Sequence, residues 1–130
     1  MRSIILCFVF ALGIDAHKIL VYNFKFAHSH SNYLGNIADI LVDAGHNVTS
    51  LIPEINAALK DGSTESRVVR VQADHEVVEK YGQFYSGKVD FFAHSELNAF
   101  IPFKRTQDMG YMFAKQCEAT LDSGVIEQLQ

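Results

Sequence analysis

The chain has 130 residues, no tryptophan, 48% hydrophobic and 20% charged residues, and a formal net charge of −4. That much apolar surface offsets the entropy of ordering and excludes intrinsic disorder, and the length is that of one domain. A pI near 5.8 with scattered Lys and Arg leaves no basic stripe for nucleic acid, and the chain has no G-x-y period, sustained heptad or self-similar block.

Arg2 precedes an apolar run from Ser3 to Ile14, and Ala16 follows. Twelve residues are too few to span a bilayer, which takes about 20 in a helix. A basic start, an apolar stretch and a small residue at a cleavage position predict a secretory signal peptide over residues 1–16, with the mature domain at 17–130. A buried N-terminal strand competes with this, but no turn precedes it. Cleavage removes Cys7 and leaves Cys117, so no intrachain disulfide is available and Cys117 is expected as a small buried hydrophobe. Asn47-Val48-Thr49 is a glycosylation sequon inside an expected strand, where a buried or sheet-bound Asn is a poor acceptor.

Lys18 to Tyr22 reads as a buried strand. After an aperiodic stretch from Asn23 to His30, Leu34, Ile37, Ala38, Leu41 and Ala44 recur at helical spacing, with Asn32, Asn36, Asp39 and Asp43 opposite. Ser29 and Ser31 are candidate N-caps and Gly45 suits the position just past the C-terminus. Asn47 to Ile52 reads as a second strand, with Val48, Leu51 and Ile52 inward and Pro53 as its stop. Strand, helix and strand in this order form a βαβ unit with parallel strands.

A turn at Asp61-Gly62-Ser63 precedes an expected third strand over Arg67–Val71. Asp74 is placed to cap a helix with Val77, Val78, Tyr81 and Phe84 inward, and Glu76 and Lys80 form an i,i+4 pair. Residues 86–105 are aromatic-rich and irregular. A last helix is expected over Thr106–Leu121 with Met109, Met112, Phe113 and Cys117 inward, followed by a fresh helical pattern from Val125. The fold class is α/β, a parallel sheet with flanking helices.

Ligands bind parallel sheets beyond the carboxyl ends of the strands, which singles out His28-Ser29-His30-Ser31. No glycine lies between the first strand and Gly35, so neither a dinucleotide fingerprint nor a P-loop is present. His-x-His offers two metal ligands where three or four are needed, and no other His is matched in spacing. A Ser–His nucleophile lacks its G-x-S-x-G elbow. Two interpretations stay open: polar residues capping the helix, or a general base, since imidazole has a reference pKa of about 6.5.

Lys18-Ile19-Leu20-Val21-Tyr22, Phe26-Ala27-His28-Ser29-His30-Ser31-Asn32 and Leu41-Val42-Asp43-Ala44-Gly45-His46-Asn47-Val48-Thr49 together resemble the N-terminal lobe of UDP-glycosyltransferases, most closely the nematode members of the UDP-glucuronosyltransferase group. The resemblance covers nearly the whole mature chain. It implies a partial Rossmann-like, acceptor-side lobe of a two-lobed (GT-B type) glycosyltransferase in the endoplasmic reticulum lumen or secreted, acting in detoxification. It places the catalytic base at His30, with fourteen residues between it and Gly45, and His28 second. The implied reaction is inverting transfer from a UDP-sugar, a co-substrate rather than a resident cofactor, to a hydroxyl of a small lipophilic acceptor cradled around Phe84 to Phe103.

In that family the Asp that orients the base lies on a strand beyond the helix starting near Val125, and a C-terminal lobe carries the UDP-sugar site and the membrane anchor. The chain by itself is expected to be inactive, with no cofactor or metal of its own. Two rivals are a non-catalytic binding module for apolar ligands and a fragment that pairs with a full-length relative and modulates it.

Overall fold

The computed structural model describes residues 16–85 and 100–129, with side chains from 103 onward in the second stretch. The expected leader, apart from Ala16, and the aromatic residues Phe91 and Phe92 lie outside the described residues. The architecture is α/β: strands β1 (Lys18–Tyr22), β2 (Asn47–Pro53) and β3 (Arg67–Val71), and helices α1 (His28–Asp43), α2 (His75–Tyr85) and α3 (Phe100–Asp122), with a final 3-10 turn at Glu127–Leu129. The sheet has the order β1-β2-β3 and both pairings are parallel. Lys18 to Tyr22 sit opposite Asn47 to Leu51, and Thr49 to Pro53 opposite Arg67 to Val71.

Side-chain alternation sends the two faces of β2 into different cores. Val48 joins Val21 and Ala38 under α1, while Leu51 packs with Val71 and Val125 on the opposite face. A third cluster, Phe26, Ile55, Val77, Tyr81 and Met112, lies where the chain leaves β1 and β2 and meets α2 and α3. Among the described residues only β2 is paired on both sides, which explains why β1 departs from the expected buried strand. Val21 is its one buried residue, and Leu20 remains 48% exposed.

The end of α1 follows its sequence signal. Gly45 has φ +89°, its N–H donates to Val42 O at 2.8 Å, and His46 N–H donates to Leu41 O at 3.1 Å. These two bonds are the Schellman arrangement, which satisfies carbonyls that the helix leaves open. The start differs from expectation. Neither Ser29 nor Ser31 caps it; the N-cap is Ala27 in extended conformation with no side-chain bond, so both histidines fall within the first turn.

Helix α2 is capped as its sequence suggests, with Asp74 Oδ1 accepting from Glu76 N and Val77 N at 2.9 and 3.3 Å. Val77 and Tyr81 are buried, but Val78 faces out. Helix α3 begins six residues before the expected Thr106, because Pro102 lies in the first turn, where no N–H is required. Its inward stripe is Met112, Gln116 and Thr120. Phe113 and Cys117 are each one position, and so about 100°, away from that stripe, and both are exposed. Gln116 holds the segment ahead of α2 by accepting from Asp74 N at 2.9 Å. Asn47 does open a strand, yet it is exposed, so burial does not shield the sequon.

The β2–β3 crossover, residues 54–66, has no helix and is held to α1 by polar contacts. Asp39 accepts from Thr64 N at 3.0 and 3.1 Å, Glu65 N at 3.1 Å, Thr64 Oγ1 at 3.1 Å, and Ser63 Oγ. Partial desolvation pushes this carboxyl up, but these donors prevail and bring its pKa from 3.8 to about 2. A Cβ on Gly35 would lie 2.0 Å from the Gly62 carbonyl carbon, and a Cβ on Gly62, at φ +86°, would lie 2.0 Å from Ser31 O.

Two outcomes follow for stability measured by urea unfolding. Gly62→Ala should cost about 3 kcal/mol, combining backbone strain with a backbone clash. Gly45→Ala, where a Cβ meets nothing within 4 Å, should cost only about 1 kcal/mol of backbone strain. Because the folded pKa of Asp39 is depressed, its contribution is present above the unfolded value of 3.8 and is lost as pH falls toward 2. Asp39→Asn should therefore flatten the acid limb of the stability profile across that window.

Candidate functional site

The carboxyl ends of β1 and β2 open onto the loop that enters α1. His28, Ser29 and His30 occupy the first turn of α1 and are exposed. Asn32 Nδ2 donates to His28 Nδ1 at 3.3 Å, and Ser29 Oγ lies 3.4 Å from His30 Nδ1. Among the described residues no carboxylate bonds to either imidazole. His28 is engaged along its own helix, whereas His30 faces the aromatic cluster, its ring edge-on to Phe26 at 6.4 Å.

Phe26 is the hub of that cluster. Its ring lies 5.5 Å from Tyr81, 5.7 Å from Tyr85, 5.8 Å from Phe84 and 5.7 Å from Phe113. Phe113 also meets Phe24 edge-on at 4.4 Å, the geometry ring quadrupoles favour. Tyr81 OH donates to Phe26 O at 2.8 Å, tying α2 to the loop. Behind the cluster, α2 and α3 enclose a groove of about 480 Å³ with Phe84 and Met112 as apolar walls and Lys80, Lys104, Arg105 and Asp108 around them.

Of the expected aromatic cradle from Phe84 to Phe103, only the two ends have described side chains. Phe84 reaches both the core and the groove, and Phe103 is exposed. The aromatic residue that meets His30 is instead Phe26, which packs in turn against Phe24 and, from α3, Phe113. Their signal in the sequence is the alternation Tyr22, Phe24, Phe26, which carries the strand period past the end of β1.

A second cleft of about 520 Å³ lies on the other side of the same loop, with Lys25, Lys60, Arg70, Glu54 and Asp61 in its wall. Lys25 is held at φ 33°, a left-handed conformation that is strained for a side chain of this size. Asn23, itself buried, enforces it: Oδ1 accepts from Lys25 N at 3.2 Å, and Nδ2 donates to Asp61 O at 3.0 Å and Ser31 O at 3.5 Å. Lys25 Nζ, on a side chain 4% exposed, bonds Asp61 Oδ1 at 3.0 Å. Arg70 pairs with the other oxygen of Asp61 and with Glu54 at 3.4 Å. Burial pushes the Asp61 carboxyl up, but the bond and charge of Lys25, then Arg70, outweigh it and hold the group below the ordinary carboxylate range.

Among the described residues no group of three or more His, Cys, Asp and Glu could hold a metal ion, and no helix is long and apolar enough to cross a membrane. Comparison with models of known protein families, with curated proteins and with solved structures gave no significant match.

The ion-pair network separates a buried contact from an exposed one. Asp61→Asn leaves the Lys25 ammonium buried without its counter-charge and should cost about 3 kcal/mol in urea unfolding. Arg70→Met removes the exposed half of the network and should cost less than about 1 kcal/mol. Equal losses would contradict the burial of Lys25.

Proposed function

We propose that residues 17–130 form the acceptor-side part of a two-lobed UDP-glycosyltransferase, a partial Rossmann-like lobe entering the secretory pathway behind a leader over 1–16, with His30 as the general base. The observation that supports this most is the placement of His30. It stands in the first turn of α1 at the carboxyl edge of a parallel sheet, with one side of its ring against Phe26 and no carboxylate neighbour among the described residues. An imidazole beside an aromatic surface suits a lipophilic acceptor whose hydroxyl must be brought to a nitrogen.

In the tautomer in which Nδ1–H donates to Ser29 Oγ, Nε2 keeps its lone pair. Nε2 takes the acceptor's hydroxyl proton as the oxygen attacks the anomeric carbon of the UDP-sugar from the face opposite UDP. The new C–O bond forms as the bond to UDP breaks, and the anomeric configuration inverts. In this reading the UDP-sugar is held by the family's C-terminal lobe, and residues 17–130 supply the acceptor side and the base.

The groove beside Phe84 and Met112 favours a second reading, a binding module for apolar ligands that needs no base. The partly exposed apolar face of β1, with Leu20 48% and Tyr22 38% exposed, suits the pairing of this chain with a full-length relative.

The test is an NMR titration of the chain with a small phenol, followed by fusion to the donor lobe of a UDP-glycosyltransferase. The phenol should move the His30 imidazole signals. The chain alone should give no turnover with UDP-glucose or UDP-glucuronic acid, and the fusion should give turnover that His30→Ala lowers by about 10²–10⁴. Phenol binding that ignores His30, with transfer unaffected by His30→Ala, would leave only the binding module.

A further inference from the structure

At the opposite end of the sheet, ahead of β1, two histidines from distant parts of the chain meet. The rings of His17 and His46 are 5.4 Å apart, and His17 N donates to His46 Nδ1 at 3.3 Å. Both are fixed by backbone. Asn47 N donates to His17 O at 2.9 Å, while His46 is set by the left-handed Gly45 and by its own bond to Leu41 O at 3.1 Å. The hydrogen bond places the Nδ1 lone pair of His46 on the His17 main-chain nitrogen.

In the uncleaved chain that nitrogen is an amide and a poor ligand. Removal of residues 1–16 would make it a primary amine with its own lone pair, next to the imidazole of the same residue. Three nitrogens are then available side by side: the amine and ring of His17, which chelate together, and Nδ1 of His46, 3.3 Å from the amine. With metal–nitrogen bonds of about 2.0 Å, adjacent donors in a square plane stand about 2.8 Å apart and opposite ones about 4.0 Å. The observed 3.3 Å is about 0.5 Å wider than the adjacent spacing, so the freed amine closes by that amount when it takes a metal beside His46.

We propose that the processed chain binds one copper(II) ion through the His17 α-amine, the His17 imidazole and Nδ1 of His46. The ion lies beside the line joining the two nitrogens and replaces the hydrogen bond that now links them. A set made only of nitrogen donors, with no carboxylate among them, selects the late divalent metals, and copper(II) stands highest of these. The third ligand is a main-chain nitrogen, so a count of side chains alone misses the site. The inference rests on the leader proposed above and is independent of His30, which lies at the other edge of the sheet.

The test uses the full chain expressed with its own leader and purified from the medium or the lumen, with its N-terminus determined by mass spectrometry and copper(II) added alone. The expected product begins at His17 and binds one copper(II) per chain, with an electron paramagnetic resonance signal showing three nitrogen donors. His46→Ala, with folding checked by circular dichroism, should weaken binding at least tenfold and leave two nitrogens; His17→Ala should weaken it as much. A product that does not begin at His17 overturns both the cleavage position and the site. A product that begins at His17 but binds copper(II) no more tightly than His46→Ala overturns the site while leaving the leader intact.

Discussion

Helix α1 and the β2–β3 crossover touch backbone to backbone, and most of the molecule's geometry depends on that approach. Gly35 and Gly62 have no room for a Cβ, which lets the helix lie directly on the loop. The approach brings the loop amides to the Asp39 carboxylate and the Asp61 carbonyl to Asn23. Asn23 in turn bends the chain at Lys25 into a left-handed conformation, which ends the extended run from β1. Phe26 is thereby delivered into the aromatic cluster and His30 onto its edge.

The elements with strong periodicity were legible in the sequence. The three strands and α1 follow from apolar spacing, the end of α1 from Gly45, and the start of α2 from Asp74. The polar half of the molecule was not legible. Asp39 sits on the side of α1 that helical spacing assigns to solvent, and only the tertiary fold brings a loop over it. Lys25 and Asp61 are 36 residues apart, and nothing local to either announces a buried pair. In α3 apolar spacing points to Phe113 and Cys117 as inward, whereas Gln116 and Thr120 are the buried residues. Gln116 is buried because its amide bonds the Asp74 backbone and the Thr120 hydroxyl.

The candidate site divides in the same way. His28 and His30 were visible because a parallel sheet has a preferred ligand edge, but the choice between them needed their neighbours. Asn32 engages His28 from one helical turn away, while Ser29 and Phe26 leave His30 directed toward the aromatic surface. The proposed base takes its chemistry from the sequence resemblance alone, while the fold contributes an aromatic wall, a nearby groove and the Ser29 hydroxyl beside Nδ1.

The crossover between β2 and β3 has one more consequence, for the order in which the molecule opens. The β1–α1–β2 half is joined by apolar packing under a helix, whereas residues 61–66 are held by hydrogen bonds and ion pairs. Local openings draw on the least costly contacts first. The amides of Thr64, Glu65 and Ser66 are therefore expected to exchange with solvent ahead of those in β2. The weak point is accordingly the crossover and not β3 itself, whose Val71 shares an apolar cluster with Leu51 and Val125.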